Sequence, residues 1–468
     1  MRVNTFLTIL LVAVLAAAAA FEGGCTSSST PAPIPQAGTA QVSFTVRDAP
    51  PMGVTVMSFK INLAGAALQS NNGNVSLLNG GEPVEIELTK LETESALLGI
   101  SQVPAGTYTG LQVMLTNPEV TILNASGAAI GPCANNAVCE FEPAVSGSVT
   151  FTAAPFPLTL SANSSSALQV DVNLNNIINS DLTLNLTNAN VLTVTQVPAA
   201  PGEQEDETDV SGQITSLGNN QFMLQDSATG MMVAILVNSQ TEYEDFDEAG
   251  CEAGNFSCLA VGQTVKVEQS LQPDGSLVAS SVHLKESEHG EEVEGSIASL
   301  TGTPPTQLQM VILDEVPNIP GVSVGNPVTV NIQNGATFTT DSSEVPIPAG
   351  LSFAGPSDLV VGQEIHVRPD SVAAGPPISI STGSIRLTES ELTATVQSVN
   401  GSVITLQNLP AQFGAAGIAQ IQVQTSPQTE FEDNVGLGAL NPGDLVSVRG
   451  LLFKGTPPVL VAEKVRKR

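Results

Sequence analysis

Tryptophan is absent from this chain, and only two tyrosines, Tyr108 and Tyr243, and three histidines, His283, His289 and His366, are present. Each shortage excludes something. Sugar-binding modules commonly stack rings on Trp or Tyr, so recognition by stacking falls here to phenylalanine. A Ser-His-Asp nucleophile could draw on three imidazoles at most. His283 and His366 fall in predicted strands and His289 in the acidic run Glu286–Glu292, so all three read as surface residues. There is no Gly-x-Ser-x-Gly elbow, no His-Glu-x-x-His and no Lys-bearing phosphate loop. The expectation is a chain with no catalytic set, cofactor or metal.

Positive charge is also scarce. The chain has 14 Lys and Arg against 45 Asp and Glu, for a net charge of −31. Nucleic acid demands the opposite sign, so it is excluded as a partner. High negative charge keeps an exported protein dispersed. The charged fraction is nonetheless only 13% and the apolar fraction 42%, which is too apolar for a wholly disordered chain. At 468 residues several domains are expected. The basic tail Lys464-Val465-Arg466-Lys467-Arg468 reads as a frayed, charged end.

Cysteines number five: Cys25, Cys133, Cys139, Cys251 and Cys258. An odd count in an exported chain needs an explanation. Cys133 with Cys139 and Cys251 with Cys258 form two close pairs that suit local disulfides. No histidine stands beside them, and the spacing is wide for zinc. Cys25 is left over.

What precedes Cys25 accounts for it. Arg2 is followed by an apolar run from Phe6 to Phe21 and then Glu22-Gly23-Gly24-Cys25. At about 1.5 Å per residue the run spans roughly 24 Å as a helix. A bilayer core needs about 30 Å, so the run is short for an anchor and has the parts of a secretory signal. Small residues before a cysteine, with a Ser/Thr/Pro spacer after it, resemble a bacterial lipoprotein signal. That resemblance implies a signal peptide over 1–24 and lipidation of Cys25. It also implies a tether over 25–39 and a place in the cell envelope, at the outer membrane or cell surface, held by the lipid.

Beyond the tether, apolar residues alternate with period two, and Gly and Pro punctuate them, so the chain reads as all-β. Val42-Phe44-Val46, Met57-Phe59-Ile61-Leu63, Leu111-Val113-Leu115 and Leu168-Val170-Val172-Leu174 mark strands between 40 and 195. Leu182-Leu184-Leu186 closes the series. Many short one-faced strands make a β-sandwich the economical fold. A short helical turn is expected within Leu91–Ile100. The stretch Ser43-Phe-Thr-Val-Arg-Asp-Ala-Pro50, followed by Val103-Pro-Ala-Gly-Thr-Tyr108, resembles domain-of-unknown-function family 4382. The resemblance implies an exported, prealbumin-like sandwich and no activity.

An acidic Pro/Gly linker follows over 196–208, and then a repeat. Val210-Ser-Gly-Gln-Ile-Thr-Ser-Leu217, Val293-Glu-Gly-Ser-Ile-Ala-Ser-Leu300 and Leu392-Thr-Ala-Thr-Val-Gln-Ser-Val399 open three units. Within each comes an element of threonine and an aromatic, Thr241-Glu-Tyr243, Thr337-Phe338 or Thr429-Glu-Phe431. Last comes Leu259-Ala-Val-Gly262-Gln, Leu359-Val-Val-Gly362-Gln or Leu440-Asn-Pro-Gly443-Asp. The glycine suits a tight turn with positive φ. Units at 209–285, 291–388 and 391–465 read as small OB-like barrels, and they resemble domain-of-unknown-function family 5666. The functional expectation is a non-enzymatic binding or scaffolding protein. Its expected partners are an envelope polysaccharide or protein, besides the membrane. A carbohydrate-binding or adhesion protein is the second expectation, and a carboxylate-dependent hydrolase the third.

Overall fold

A computed structural model describes residues 39–49, 55–78, 83–93, 95–145, 148–173, 177, 183–184, 192–197, 208–226, 232–244, 246, 251, 254–271, 276–284, 292–316, 319, 322–340, 345–373, 375, 377–432 and 436–468. Cys25, His289, the signal and tether, and most of the acidic linker lie outside them. No helix among the described residues is long and apolar enough to cross a membrane.

Period-two alternation becomes strand throughout. In Gly110–Leu123, Leu111, Val113 and Leu115 are buried while Met114 is 43% exposed. One sheet of the N-terminal domain runs Leu192–Val197, Ser165–Asn173, Thr39–Ala49, Ser95–Pro104, with a parallel pairing between Thr39–Ala49 and Ser165–Asn173. The other is centred on the long antiparallel pair Thr55–Ser70 and Gly110–Leu123. One buried cluster draws on both: Val42, Phe44, Leu168 and Val170 from the first, Phe59, Ile61 and Leu111 from the second. Two sheets therefore close face to face over a single core, as a one-faced strand set requires. The helical turn expected within Leu91–Ile100 is displaced. It is a 3₁₀ turn at Leu88–Lys90 capped by the Glu87 carboxylate, and Ser95–Pro104 is strand.

Each repeat closes on itself. In the first, Thr208–Leu217 pairs with Gln221–Asp226, which pairs with Met232–Leu236. The third strand pairs in parallel with Leu277–Leu284, which pairs with Thr264–Leu271, and that returns to Thr208–Leu217. The ring order is first, second, third, fifth, fourth, first. The second ring repeats it with Glu292–Gly302, Pro305–Val316, Pro327–Thr340, Glu364–Arg368 and Ile378–Asn400. The third repeats it with the far half of Ile378–Asn400, then Val403–Gln407, Ile421–Gln424, Leu445–Phe453 and Val459–Lys467. Closure leaves no free edge within a ring.

The repeated motifs build the same joints three times. The opening strands bulge at Ile214/Ser216, Ile297/Ser299 and Val396/Ser398. The N–H groups of Gly262, Gly362 and Gly443 each donate at 2.8 Å to the carbonyl of Ile214, Ile297 and Val396. All three glycines have positive φ, at 97°, 80° and 96°. The residue after each glycine folds its side chain back onto the turn. Gln263 accepts from Ala260 N–H at 2.6 Å, Gln363 from Val360 at 2.7 Å and Asp444 from Asn441 at 2.7 Å. Thr241 and Thr429 donate at 2.8 Å to the carbonyls of Ala279 and Ala462; the second ring has Ala336 at that position, and its neighbour Thr337 donates to Gly383 at 3.2 Å.

The units are joined rather than strung. Ile378–Asn400 is a single strand shared by the second and third rings. The second core takes in Leu451, Phe453 and Val461 of the third ring, and the third core takes in Val360 and Val361 of the second. Met57 and Leu123 of the sandwich pack on Ala298 and Val311 of the second ring. Backbone pairing of 95–96 with 208–209 links the sandwich sheet to the first ring.

Candidate functional site

Charge concentrates where these units meet. The segment after the 3₁₀ turn carries Lys90, Glu92 and Thr93 out of the sandwich and into contact with the second and third rings. Glu92 is 8% exposed and Thr93 fully buried. Three glutamates follow one another there. Glu364 Oε1 accepts the N–H of Glu391 at 3.2 Å, and Glu391 Oε2 accepts the N–H of Glu92 at 3.1 Å. The Thr93 hydroxyl donates to Glu391 Oε1 at 2.6 Å, and the Thr393 hydroxyl donates to Glu92 Oε2 at 2.7 Å. Arg468 donates to the Glu92 carbonyl and, at 2.8 Å, to Ser447 Oγ. Beside them Lys90 Nζ meets Glu294 at 2.9 Å. His366 stands between Glu292 at 3.3 Å and Glu294 at 3.5 Å, with Arg386 also 3.4 Å from Glu292. The third ring is tied to the first by Arg449, 3.5 Å from Glu268 and 3.2 Å from Glu463.

Burial governs the electrostatics, because removing a carboxylate from water favours its neutral form. Burial pushes Glu92 up to about 7, against the hydroxyl of Thr393 and the charge of Arg468, which pull it down. Burial and then the neighbouring Glu92 charge push Glu391 to about 8. Glu364 is held well above the carboxylate range by burial and by Glu294. Burial lowers Lys90 and His366, but the carboxylates around them outweigh it, and both are raised. The result is an acidic interior that keeps protons near neutrality.

The sequence-predicted residues are distributed as follows. Cys133–Cys139 and Cys251–Cys258 are both disulfides. His283 lies on the fifth strand of the first ring, 3.0 Å from Ser281 Oγ. His366 is not a plain surface residue, since its side chain is 23% exposed and sits among carboxylates. The basic tail is not frayed. Val459–Lys467 is the closing strand of the third ring, Lys464 and Arg466 are each 1% exposed, and Lys464 lies 3.6 Å from Glu432. The glutamate chain was not marked in the sequence, because its members are far apart there and acidic residues are abundant. Among the described residues no His, Cys, Asp and Glu group has the arrangement of a metal site.

Comparison with known proteins gives families and no activity. No curated protein matches the chain. Among solved structures, similarity extends to a multidomain protein with nucleic acid binding domains from Streptococcus pneumoniae TIGR4. The identity is 11%, over 56% of this chain and 73% of that one, with a TM-score of 0.12, too loose a superposition to carry an argument. The middle ring lies outside the family matches yet makes the same strand pairings and turn bonds as its neighbours. Residues 39–198 match the family described as domain of unknown function (DUF4382), and residues 211–283 and 393–466 match that described as domain of unknown function (DUF5666).

Proposed function

We propose that the chain is an exported, non-enzymatic binding or scaffolding protein of the cell envelope, tethered by lipid at Cys25. One observation carries the binding reading. The motif residues that define the repeats are consumed by turns and bulges, while the outward faces of the fixed rings differ. Equivalent positions on the second and third strands carry Met223, Ala234 and Leu236 in the first ring. They carry Gln309, Thr329 and Asn331 in the second. They carry Thr405, Gln422 and Gln424 in the third. Three scaffolds held in one register with three surfaces suit contact with an extended or composite partner. Conserving a scaffold and varying its face is how binding sites are grafted on folds.

A carboxylate-dependent hydrolase also needs converging carboxylates with raised pKa values. Glu92 and Glu391 have both properties, but their oxygens are engaged by N–H and hydroxyl groups of the protein inside a junction between units. That placement favours a structural role for the pair.

Two experiments test the proposal. The chain, immobilised and exposed to solubilised envelope polysaccharides and envelope proteins, should retain a specific partner. Retention of none, or turnover of chromogenic glycosides or esters that Glu391→Gln abolishes, would overturn the binding reading. Metabolic labelling with a fatty-acid analogue should mark the wild type and leave Cys25→Ala unlabelled.

A further inference from the structure

The junction buries more carboxylates than fixed cations. Glu92, Glu294, Glu364 and Glu391 face Lys90 and Arg468. Every other charged group nearby is already committed. His366 and Arg386 of the second ring share Glu292, and His366 also reaches Glu294 at 3.5 Å. Arg449 of the third ring is held by Glu268 of the first ring and by Glu463. Lys266 of the first ring is 3.5 Å from Glu268, and Asp314 of the second ring acts on Lys90. Like charges this close and this dry cannot all ionise together. Two of the carboxyls also bond the backbone of the next glutamate: Glu364 of the second ring accepts the N–H of Glu391, and Glu391 accepts the N–H of Glu92 in the sandwich.

We propose that this chain of glutamates is a proton-operated latch: while Glu364, Glu391 and Glu92 hold protons, the 88–93 segment is clamped between the rings, and loss of those protons releases it. The latch governs whether the 88–93 segment stays docked between the rings. It rests on the reading of the chain as a binding or scaffolding protein but on no ligand. The raised pKa values of Glu92 and Glu391 place the transition near neutrality, between the ordinary carboxylate range and about 8. The sign follows. The clamped state binds more protons than the released one, so acid closes the latch and alkali opens it. The rest of the interface stays in place, because the Met57, Leu123, Ala298 and Val311 contact is apolar and the 95–96 to 208–209 pairing is made by backbone groups.

The Glu92 amide reports on the latch directly, since its acceptor is the Glu391 carboxyl. Hydrogen exchange of the full chain, followed by mass spectrometry and corrected for the intrinsic pH dependence of exchange, should show the peptide spanning Leu88–Leu98 protected at pH 5.5. At pH 8.5 that protection should fall by at least about tenfold, the factor that one unit of displaced pKa represents. In Glu92→Gln/Glu391→Gln the protection should be the same at both pH values. Glu242→Gln, an exposed carboxylate on the first ring, should leave the wild-type response intact. Equal protection of the wild type at both pH values would overturn the proposal, whether or not the double variant folds. So would a pH response that survives in the double variant, or one abolished by millimolar Ca²⁺, which would make a cation the neutralising agent. Because no ligand enters the measurement, its failure would leave the binding reading standing.

Discussion

The aromatic ring of Phe413 lies against Gly362 in the space that a side chain at that position would occupy. Phe413 belongs to Ala411–Ala415, the short helix between the second and third strands of the third ring, and it is 1% exposed. Gly362 is the turn glycine of the second ring, so one position serves both a backbone turn and a contact between rings. Burying a phenylalanine in this way is worth about 2–3 kcal/mol.

A graded outcome follows for the three equivalent glycines. Alanine at Gly262 or Gly443 meets no atom within 4 Å and faces only the positive φ, a cost of about 1–2 kcal/mol. Alanine at Gly362 meets the same φ and also displaces Phe413, adding about 1–3 kcal/mol for overpacking. Urea unfolding should therefore rank Gly362→Ala clearly below Gly262→Ala and Gly443→Ala. Combining Phe413→Ala with Gly362→Ala should cost less than the two single changes added together.

Stability should fall as pH rises from acid to mildly alkaline values. Glu92 and Glu391 bind protons more tightly folded than unfolded, where both return to about 4.5. A raised carboxylate contributes fully below its unfolded pKa and loses that contribution as pH climbs through its folded pKa. The window here runs from about 4.5 to 8. At about 1.4 kcal/mol per unit, Glu92 alone accounts for a change on the order of 3 kcal/mol. The urea midpoint should be lower at pH 8.5 than at pH 5.5, and Glu92→Gln should flatten the slope. A midpoint that rose across that interval would contradict the assignment.

Local features of this fold could be read from the sequence, and assembled ones could not. Alternation placed the strands because the pleat sends successive side chains to opposite faces. Gly262, Gly362 and Gly443 announced their turns because positive φ selects glycine. The cysteine pairs are close in the chain, and both are bonded. Glu92 and Glu391, in contrast, are brought together across 299 positions by the packing of the sandwich against the strand that the second and third rings share, and nothing local in either residue marks it. The tail misled for a related reason. Lys464 and Arg466 read as solvated charges, whereas a bulge in the pairing at Arg449/Gly450 sets Leu460, Ala462 and Val465 into the third core, and the two cations are buried with that strand.

Lys464 should matter to stability more than a terminal lysine ordinarily would. It is 1% exposed and stands 3.6 Å from Glu432, itself 3% exposed, with Glu430 at 3.9 Å. Removing one member of a buried ion pair leaves the other charge in a dry site and costs about 3–5 kcal/mol. Lys464→Ala should lower stability by about 3 kcal/mol, whereas Lys454→Ala should cost less than about 1 kcal/mol, because Lys454 is exposed and bonds a single carbonyl at Ser357. Thermal unfolding of the two variants checks this. Equal melting temperatures would mean that the closing strand is not docked as described.

The two disulfides should contribute by similar amounts through loop closure and by different amounts through packing. They close loops with sequence separations of 6 and 7, so the chain-entropy term is about 2–2.5 kcal/mol for each. Cys258 also sits in the core of the first ring with Leu259 and Phe246. Cys133 lies outside the main sandwich core, in a loop whose carbonyls at Ala128 and Cys133 are bonded by the side chain of Asn124 at 2.8 and 3.0 Å. Reduction opens both loops, but Asn124 goes on organising the one near Cys133, whereas the wall of the first ring loses its only covalent clip among the described residues. Cys251→Ala/Cys258→Ala should therefore destabilise the protein more than Cys133→Ala/Cys139→Ala, with the excess exchange confined to the first ring. Hydrogen exchange resolved by segment distinguishes this from a uniform loss. Greater loss from the Cys133–Cys139 pair would show that the sandwich loop, and not the first ring, depends more on its covalent bond.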